Sequence, residues 1–259
     1  MKNEPKGNSG IPLLIIVIVL ILVVGGGYWL YSSSKPAAGN TNRAANASNA
    51  AKSPQTAINA PLGAQPPNLL GSPTALVTVE EFADFQCGSC ASAHPVVKEI
   101  QGVYGSRIKF IFRNFPLPMH DKSYDAAVAA EAAGMQGKFW QMQDQLFTNQ
   151  QTWTLNPNYR QLWADYAQKI GLDVAKFQND MAGIAAKSRV DLDLARGRAL
   201  NVSSTPTIFV NGTSVPLNVQ SLRQIIDEEI QLAATQNRAS NANTVSPPAT
   251  ANTSAANTK

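Results

Sequence analysis

The chain has 259 residues, 44% of them hydrophobic and 15% charged, with a formal charge of +4, two cysteines and two histidines. The basic excess lies at the ends: residues 70–235 carry 14 Lys and Arg against 16 Asp and Glu, and the remainder carries 7 against one. A central region with a net charge of −2 is no nucleic-acid groove, and two histidines whose spacing fits no finger pattern leave a zinc site short of ligands.

Residues 1–10 include Lys2 and Lys6. From Ile11 to Val24 the chain is apolar apart from Pro12, and the uncharged stretch extends through "GGGYWLY" to Tyr31. About 20 such residues suffice for a helix to cross a hydrocarbon core. Tyr28, Trp29 and Tyr31 stand at its far end, where amphipathic rings favour the membrane–water interface. Residues 11–31 therefore read as a transmembrane signal-anchor lying in the lipid bilayer. The preceding lysines place residues 1–10 in the cytoplasm and the rest outside it. An uncleaved anchor is favoured over a cleaved signal peptide, because the apolar region is long and its aromatic end is no small-residue cleavage site. Residues 32–67, rich in Ala, Asn, Ser, Gly and Pro, read as a disordered tether, and residues 236–259 as a disordered tail of the same composition.

Residues 68–235 form the globular part, long enough for one well-buried domain. "ALVTVEEF" (75–82) reads as a strand buried on both faces, and "ASAHPVVKEIQGVYG" (91–105) as a helix. "RIKFIFRNF" (107–115) is a second strand. Strand, helix and strand at this spacing make a parallel βαβ unit. Helical patterns follow over 123–136, opening on a Ser123 cap, and over 138–150, 158–171, 173–181 and 184–200, so residues 117–201 read as a helical insertion. Trp140, Trp153 and Trp163 stand at helical spacing and are taken as core. "TPTIFVNGTSVP" (205–216) predicts a hairpin around Asn211-Gly212, and 219–235 a closing amphipathic helix. The fold class is α/β: βαβ, a helical insertion, then ββα.

The only cysteines, Cys87 and Cys90, flank Gly88-Ser89 where the first strand gives way to a helix. A thiol at a helix N-terminus faces unpaired N–H groups and the positive end of the dipole, which stabilise the thiolate. Cys87 is placed to attack, and Cys90, one turn in, to resolve a mixed disulfide. A structural disulfide here would close a tiny loop and stabilise little. His94, one turn after Cys90, could touch the pair; a partly solvated helix histidine is the plainer alternative.

These residues carry a resemblance. The chain from about Leu70 to Thr235 resembles the thioredoxin-like thiol–disulfide oxidoreductases, in particular the DsbA-like branch with a helical insertion. Cys87-x-x-Cys90 follows the first strand of the βαβ unit, and Pro95 stands where this family kinks its active-site helix. Glu81 matches the family's buried acid, and Thr205-Pro206 its cis-proline loop.

The resemblance implies that Glu81 shuttles a proton to Cys90, since a carboxyl group desolvated in a central strand has a raised pKa. Its neighbour Glu80 is the rival, with an exposed strand-end charge as the plain alternative. The cis-proline would leave the Thr205 backbone free to pair with an extended substrate, as an edge strand does. Better-known members often carry Pro-His between the cysteines, and Gly88-Ser89 lacks that histidine's charge.

The expected activity is an extracytoplasmic dithiol oxidase on the cell membrane, with no cofactor beyond the redox-active Cys87–Cys90 disulfide and no metal. Its partners would be exported cysteine-containing proteins and a membrane quinone-linked oxidase. A reductase or isomerase fed by a membrane electron carrier, for example in cytochrome maturation, is the alternative. A non-catalytic thioredoxin-like binding module is the third.

Overall fold

In a computed structural model, residues 59–244 are described; the apolar span at 11–31 and the tether up to residue 58 lie outside them. Among the described residues no helix is long and apolar enough to cross a membrane. Five strands form one mixed sheet: β1 (Asn68–Gly71), β2 (Val77–Ala83), β3 (Ile108–Asn114), β4 (Thr207–Val210) and β5 (Thr213–Val215), in the order β1-β3-β2-β4-β5.

β2 is central. It pairs in parallel with β3 (Val79 opposite Phe110, Glu81 opposite Phe112) and antiparallel with β4 (Glu81 opposite Ile208). The crossover between β2 and β3 is α1 (Gly88–Tyr104), which gives the expected βαβ unit. The hairpin also forms, with Asn211 and Gly212 at φ 46° and 82°, the left-handed pair that a two-residue turn requires.

The insertion comprises α2 (Ser123–Gly134), α3 (Phe139–Thr148), the short α4 (Gln150–Thr154), α5 (Tyr159–Lys169), α6 (Val174–Ala182) and α7 (Ile184–Ala199). The alanines of α2 let neighbouring helices approach closely, and most of its residues are buried. Trp153 and Trp163 are fully buried and meet edge to face at 5.3 Å, as core residues should. Ser123 is not a cap: it is the first residue within α2, and its hydroxyl donates to the His120 carbonyl instead.

α7 covers the sheet face that carries Glu80 and Phe82, and the approach is close. A Cβ on Gly197 would stand 2.5 Å from the Phe115 ring. α8 (Val219–Thr244) closes the fold, and Tyr104 of α1 donates to its Arg223 carbonyl.

Two boundaries differ from the expected ones. α8 runs past residue 235 to Thr244, so the first part of the segment read as a disordered tail is helical. At the other end, residues 61–67, read as the last part of the tether, are fastened to the domain. Arg113 donates to the carbonyls of Leu62 and Ala64, Arg196 to that of Pro61, and Arg189 to those of Gln65 and Pro66. The Ala64 N–H donates to Asp193, and Ala64 is fully buried. The buried Ala64 carbonyl needs a donor and Arg113 supplies it; the other carbonyls are tied nearer the surface. β1, which no pattern in the sequence announced, continues this strap along the edge of β3.

Candidate active site

The chain leaves β2 at Ala83 and reaches Cys87 in four residues. Asp84 organises this loop. Its carbonyl accepts from the Cys87 N–H (3.1 Å), and its own N–H donates to Cys90 Sγ (3.5 Å). Its carboxylate accepts from the N–H groups of Gln86 (2.7 Å) and Leu117 (2.8 Å). The Gln150 amide donates to the carbonyls of Phe85 and Cys87 from the insertion side. Cys87 is thereby held as the N-cap of α1, where backbone N–H groups and the helix dipole favour an anion.

Both cysteines stand as free thiols. Ser89 Oγ lies 3.0 Å from Cys87 Sγ and 3.1 Å from the Thr205 carbonyl oxygen, to which Cys87 Sγ donates at 3.4 Å. Thr205 is thus brought against the pair by the loop before β4, and the Thr205-Pro206 bond is cis. The Thr205 hydroxyl is buried without a fixed partner and lies near enough to both sulfurs to stabilise either thiolate. Gly88 and Ser89 are exposed at the helix tip, and Pro95 sits within α1.

The two sulfurs differ in their surroundings. Burial alone would raise Cys87, but the Ser89 hydroxyl first, and then the nearby Thr205 hydroxyl and Cys90, outweigh it and hold the thiol below its ordinary value. Cys90 is raised strongly, first by burial and then by the nearby charges of Cys87 and Glu81. Glu81 points to the α1 side of β2 with no hydrogen-bond partner, and burial pushes its carboxyl up to about 8. Glu80 faces the opposite side. It is not an exposed strand-end charge: Arg113 Nε (2.7 Å) and both Arg196 Nε (2.7 Å) and Nη2 (2.8 Å) donate to it. Burial raises Glu80, but these guanidiniums more than offset it and leave the carboxyl below its ordinary value.

Three site features had no signal in the sequence reading. Asp84, Gln150 and His120 all converge on the cysteine loop, and His120 Nδ1 donates to Asp84 at 2.7 Å. His94 is buried, with its ring on Phe147 at 4.9 Å and Nε2 donating to Asp144 at 2.8 Å. It is neither the solvated histidine nor in a hydrogen bond with either sulfur. Burial lowers its pKa, with Asp144 opposing.

Residues 64–228 match the family model described as Thioredoxin. The chain belongs to the thioredoxin family. Among solved structures it is similar to BdbD from Bacillus subtilis in its oxidised form, with 26% identity and a TM-score of 0.58, covering 67% of this chain and 100% of that one. It also shares the fold of α-DsbA1 from Wolbachia pipientis (19% identity, TM-score 0.59, 70% and 98% coverage). Family and fold together make it a DsbA-like thiol–disulfide oxidoreductase. A curated relative, Na(+)/H(+) antiporter NhaA 1 of Mycolicibacterium gilvum (strain PYR-GCK), is 34% identical over 155 residues, which are 59% of this chain and 24% of that protein. The chain spans about a quarter of the length of such relatives.

Proposed function

We propose that this thioredoxin-family protein introduces disulfides into exported proteins by dithiol–disulfide exchange. The contrast between the two sulfurs carries this reading: Cys87 at the helix N-terminus is eased towards thiolate, while Cys90 is buried and held as thiol. In the oxidised enzyme a client thiolate attacks Cys87 Sγ. The Cys87–Cys90 bond breaks and Cys90 leaves with the electron pair. Glu81, still largely protonated at neutral pH, supplies the proton that Cys90 takes up. The client's second thiolate then attacks its own sulfur in the mixed disulfide. Cys87 departs as a thiolate, a better leaving group because its pKa is lowered. Two electrons have passed to the enzyme, and the client carries a new disulfide.

Thr205 and Pro206 would hold the client strand over the pair, and a quinone-linked membrane oxidase would take the electrons away. Residues 11–31 would anchor the domain on the extracytoplasmic side of the cell membrane, with the N-terminus in the cytoplasm. The antiport activity of the longer relatives is not part of this reading.

A Cys90→Ala variant expressed in cells should accumulate mixed disulfides between Cys87 and exported clients, and a complete absence of adducts would overturn the reading. The second reading, a reductase or isomerase, draws on the uncharged Gly88-Ser89 dipeptide. The equilibrium constant against glutathione separates the two: a potential near about −120 mV marks the oxidant and one near about −270 mV the reductant. Protease added to intact cells should cut the tether if the domain lies outside.

A further inference from the structure

Beyond the reacting groups, the His120–Asp84 contact stands out. Asp84 is buried, and each of its polar groups is committed to the cysteine loop or to the segment that leads into the insertion. His120 is part-exposed and binds both sides of this junction. Its Nδ1 donates to Asp84 Oδ2, its N–H to the Leu117 carbonyl (3.0 Å), and its carbonyl accepts from the Ser123 hydroxyl that starts α2 (3.2 Å). Gln86 adds two more ties, accepting from the Lys122 N–H (2.7 Å) and donating to Asp121 (2.8 Å). The carboxylate partner fixes the proton on Nδ1.

We propose that His120 is a positioning residue for the dithiol, acting through Asp84. The exchange chemistry of Cys87 and Cys90 is the foundation of this inference. Asp84 touches the pair through its main chain: its carbonyl anchors the Cys87 N–H, and its N–H donates to Cys90 Sγ. A hydrogen bond from His120 holds the carboxylate, and with it the peptide units, in the orientation that these contacts need. Loss of the imidazole loosens both Asp84 peptide contacts, the carbonyl that anchors the Cys87 N–H and the N–H on Cys90 Sγ. The helix N-terminus is then less well held around Cys87, so the Cys87 thiolate becomes less favourable. A destabilised thiolate destabilises the dithiol relative to the disulfide, and the protein becomes a weaker oxidant.

The test compares full-length His120→Ala and His120→Asn with the parent. Asn carries an amide N–H at about the place of Nδ1; Ala carries none. Three quantities are read: the Cys87 thiolate titration by ultraviolet absorbance, the equilibrium constant with glutathione, and the thermal midpoint. Transmission of about half the worth of a hydrogen bond to a charged group shifts the glutathione equilibrium by up to about tenfold. For a two-electron couple that is about 30 mV. His120→Ala should show this shift and a raised Cys87 pKa, and His120→Asn should restore most of both. A change in thermal midpoint alone, or equal redox shifts in both variants, overturns the proposal and leaves His120 a structural residue.

If His120→Ala does not fold, His120→Gln replaces it, because its amide reaches the place of Nε2 rather than Nδ1. Gln must then show the shift and Asn must not; any other pattern overturns the proposal. The parent's own titration separates this failure from that of the exchange reading. A parent whose Cys87 titrates no lower than a free thiol ends both, whereas a low-titrating parent with an unshifted variant ends the His120 proposal alone.

Discussion

Replacement of Glu81 by Gln offers a quantitative test of the buried acid. Glu81 lies in the central strand between Phe112 and Ile208 and accepts no hydrogen bond, so burial acts on it unopposed. Its carboxyl is pushed from an ordinary value of 4.5 to about 8. In that interval the folded protein holds a proton that the unfolded chain has released, so stability must fall as pH rises. Linkage makes the loss ~1 kcal/mol at pH 5, ~3 kcal/mol at pH 7 and ~4 kcal/mol at pH 8, each an upper figure. Gln is neutral throughout and nearly isosteric, so Glu81→Gln should gain stability over the parent by a margin that widens with pH. Urea unfolding of both reduced proteins from pH 5 to pH 8 measures that margin directly. Other buried acids cancel in the difference. The same variant should resolve mixed disulfides more slowly, because Cys90 has lost its proton partner. A margin that stays flat between pH 5 and pH 8 would refute the raised carboxyl, and with it the shuttle role.

Two further outcomes follow from neighbouring groups. Ser89→Ala removes the hydroxyl 3.0 Å from Cys87 Sγ, and at about 1.5–3 kcal/mol for a hydrogen bond to a charged group the thiolate titration should move up by about 1–2 units. Arg113→Leu leaves Glu80 and Asp193 short of a buried partner and frees the carbonyls of Leu62 and Ala64. It should cost about 3–5 kcal/mol in denaturant unfolding, and a loss below about 1 kcal/mol would mean that the strap is not fastened as described.

Features set by local pattern were legible in the sequence; those made by distant partners were not. β2, α1 and β3 announced themselves through apolar spacing, and Asn211-Gly212 named its own turn because few other residues adopt positive φ in succession. The insertion helices showed the 3.6-residue repeat. β1 has four residues, too few for any period, and depends on pairing with β3. The strap at 61–67 is short and proline-rich, and it is ordered by arginines that lie far away in the chain. Composition cannot show such donors. Glu80 and Glu81 illustrate both cases at once. The pleat placed them on opposite faces and the resemblance made Glu81 the buried acid, but only the fold revealed that Glu80 is buried too and that Arg113 and Arg196 claim it. The extension of α8 to Thr244 has a simpler origin: once its earlier turns are packed, propagation adds a hydrogen bond for each residue fixed, even through Asn and Ser.

The buried acid does not itself choose the direction of electron flow. With a carboxyl pushed up to about 8, Glu81 can donate when Cys90 leaves a disulfide and can accept when Cys90 must attack one. The bias must therefore arise at Cys87, where one hydroxyl proton faces two acceptors. While Cys87 is a thiol, it donates to the Thr205 carbonyl and can accept from Ser89. As a thiolate it keeps the Ser89 proton, but the Thr205 carbonyl then faces an anion with no hydrogen between them. Part of what Ser89 contributes to the thiolate is thus returned by the carbonyl's repulsion. A histidine between the cysteines would add positive charge to this balance; Gly88-Ser89 adds none. In the proposed oxidase the helix N-terminus, the Asp84 loop and the neighbouring hydroxyls would together provide the bias, through several modest hydrogen bonds instead of one charge.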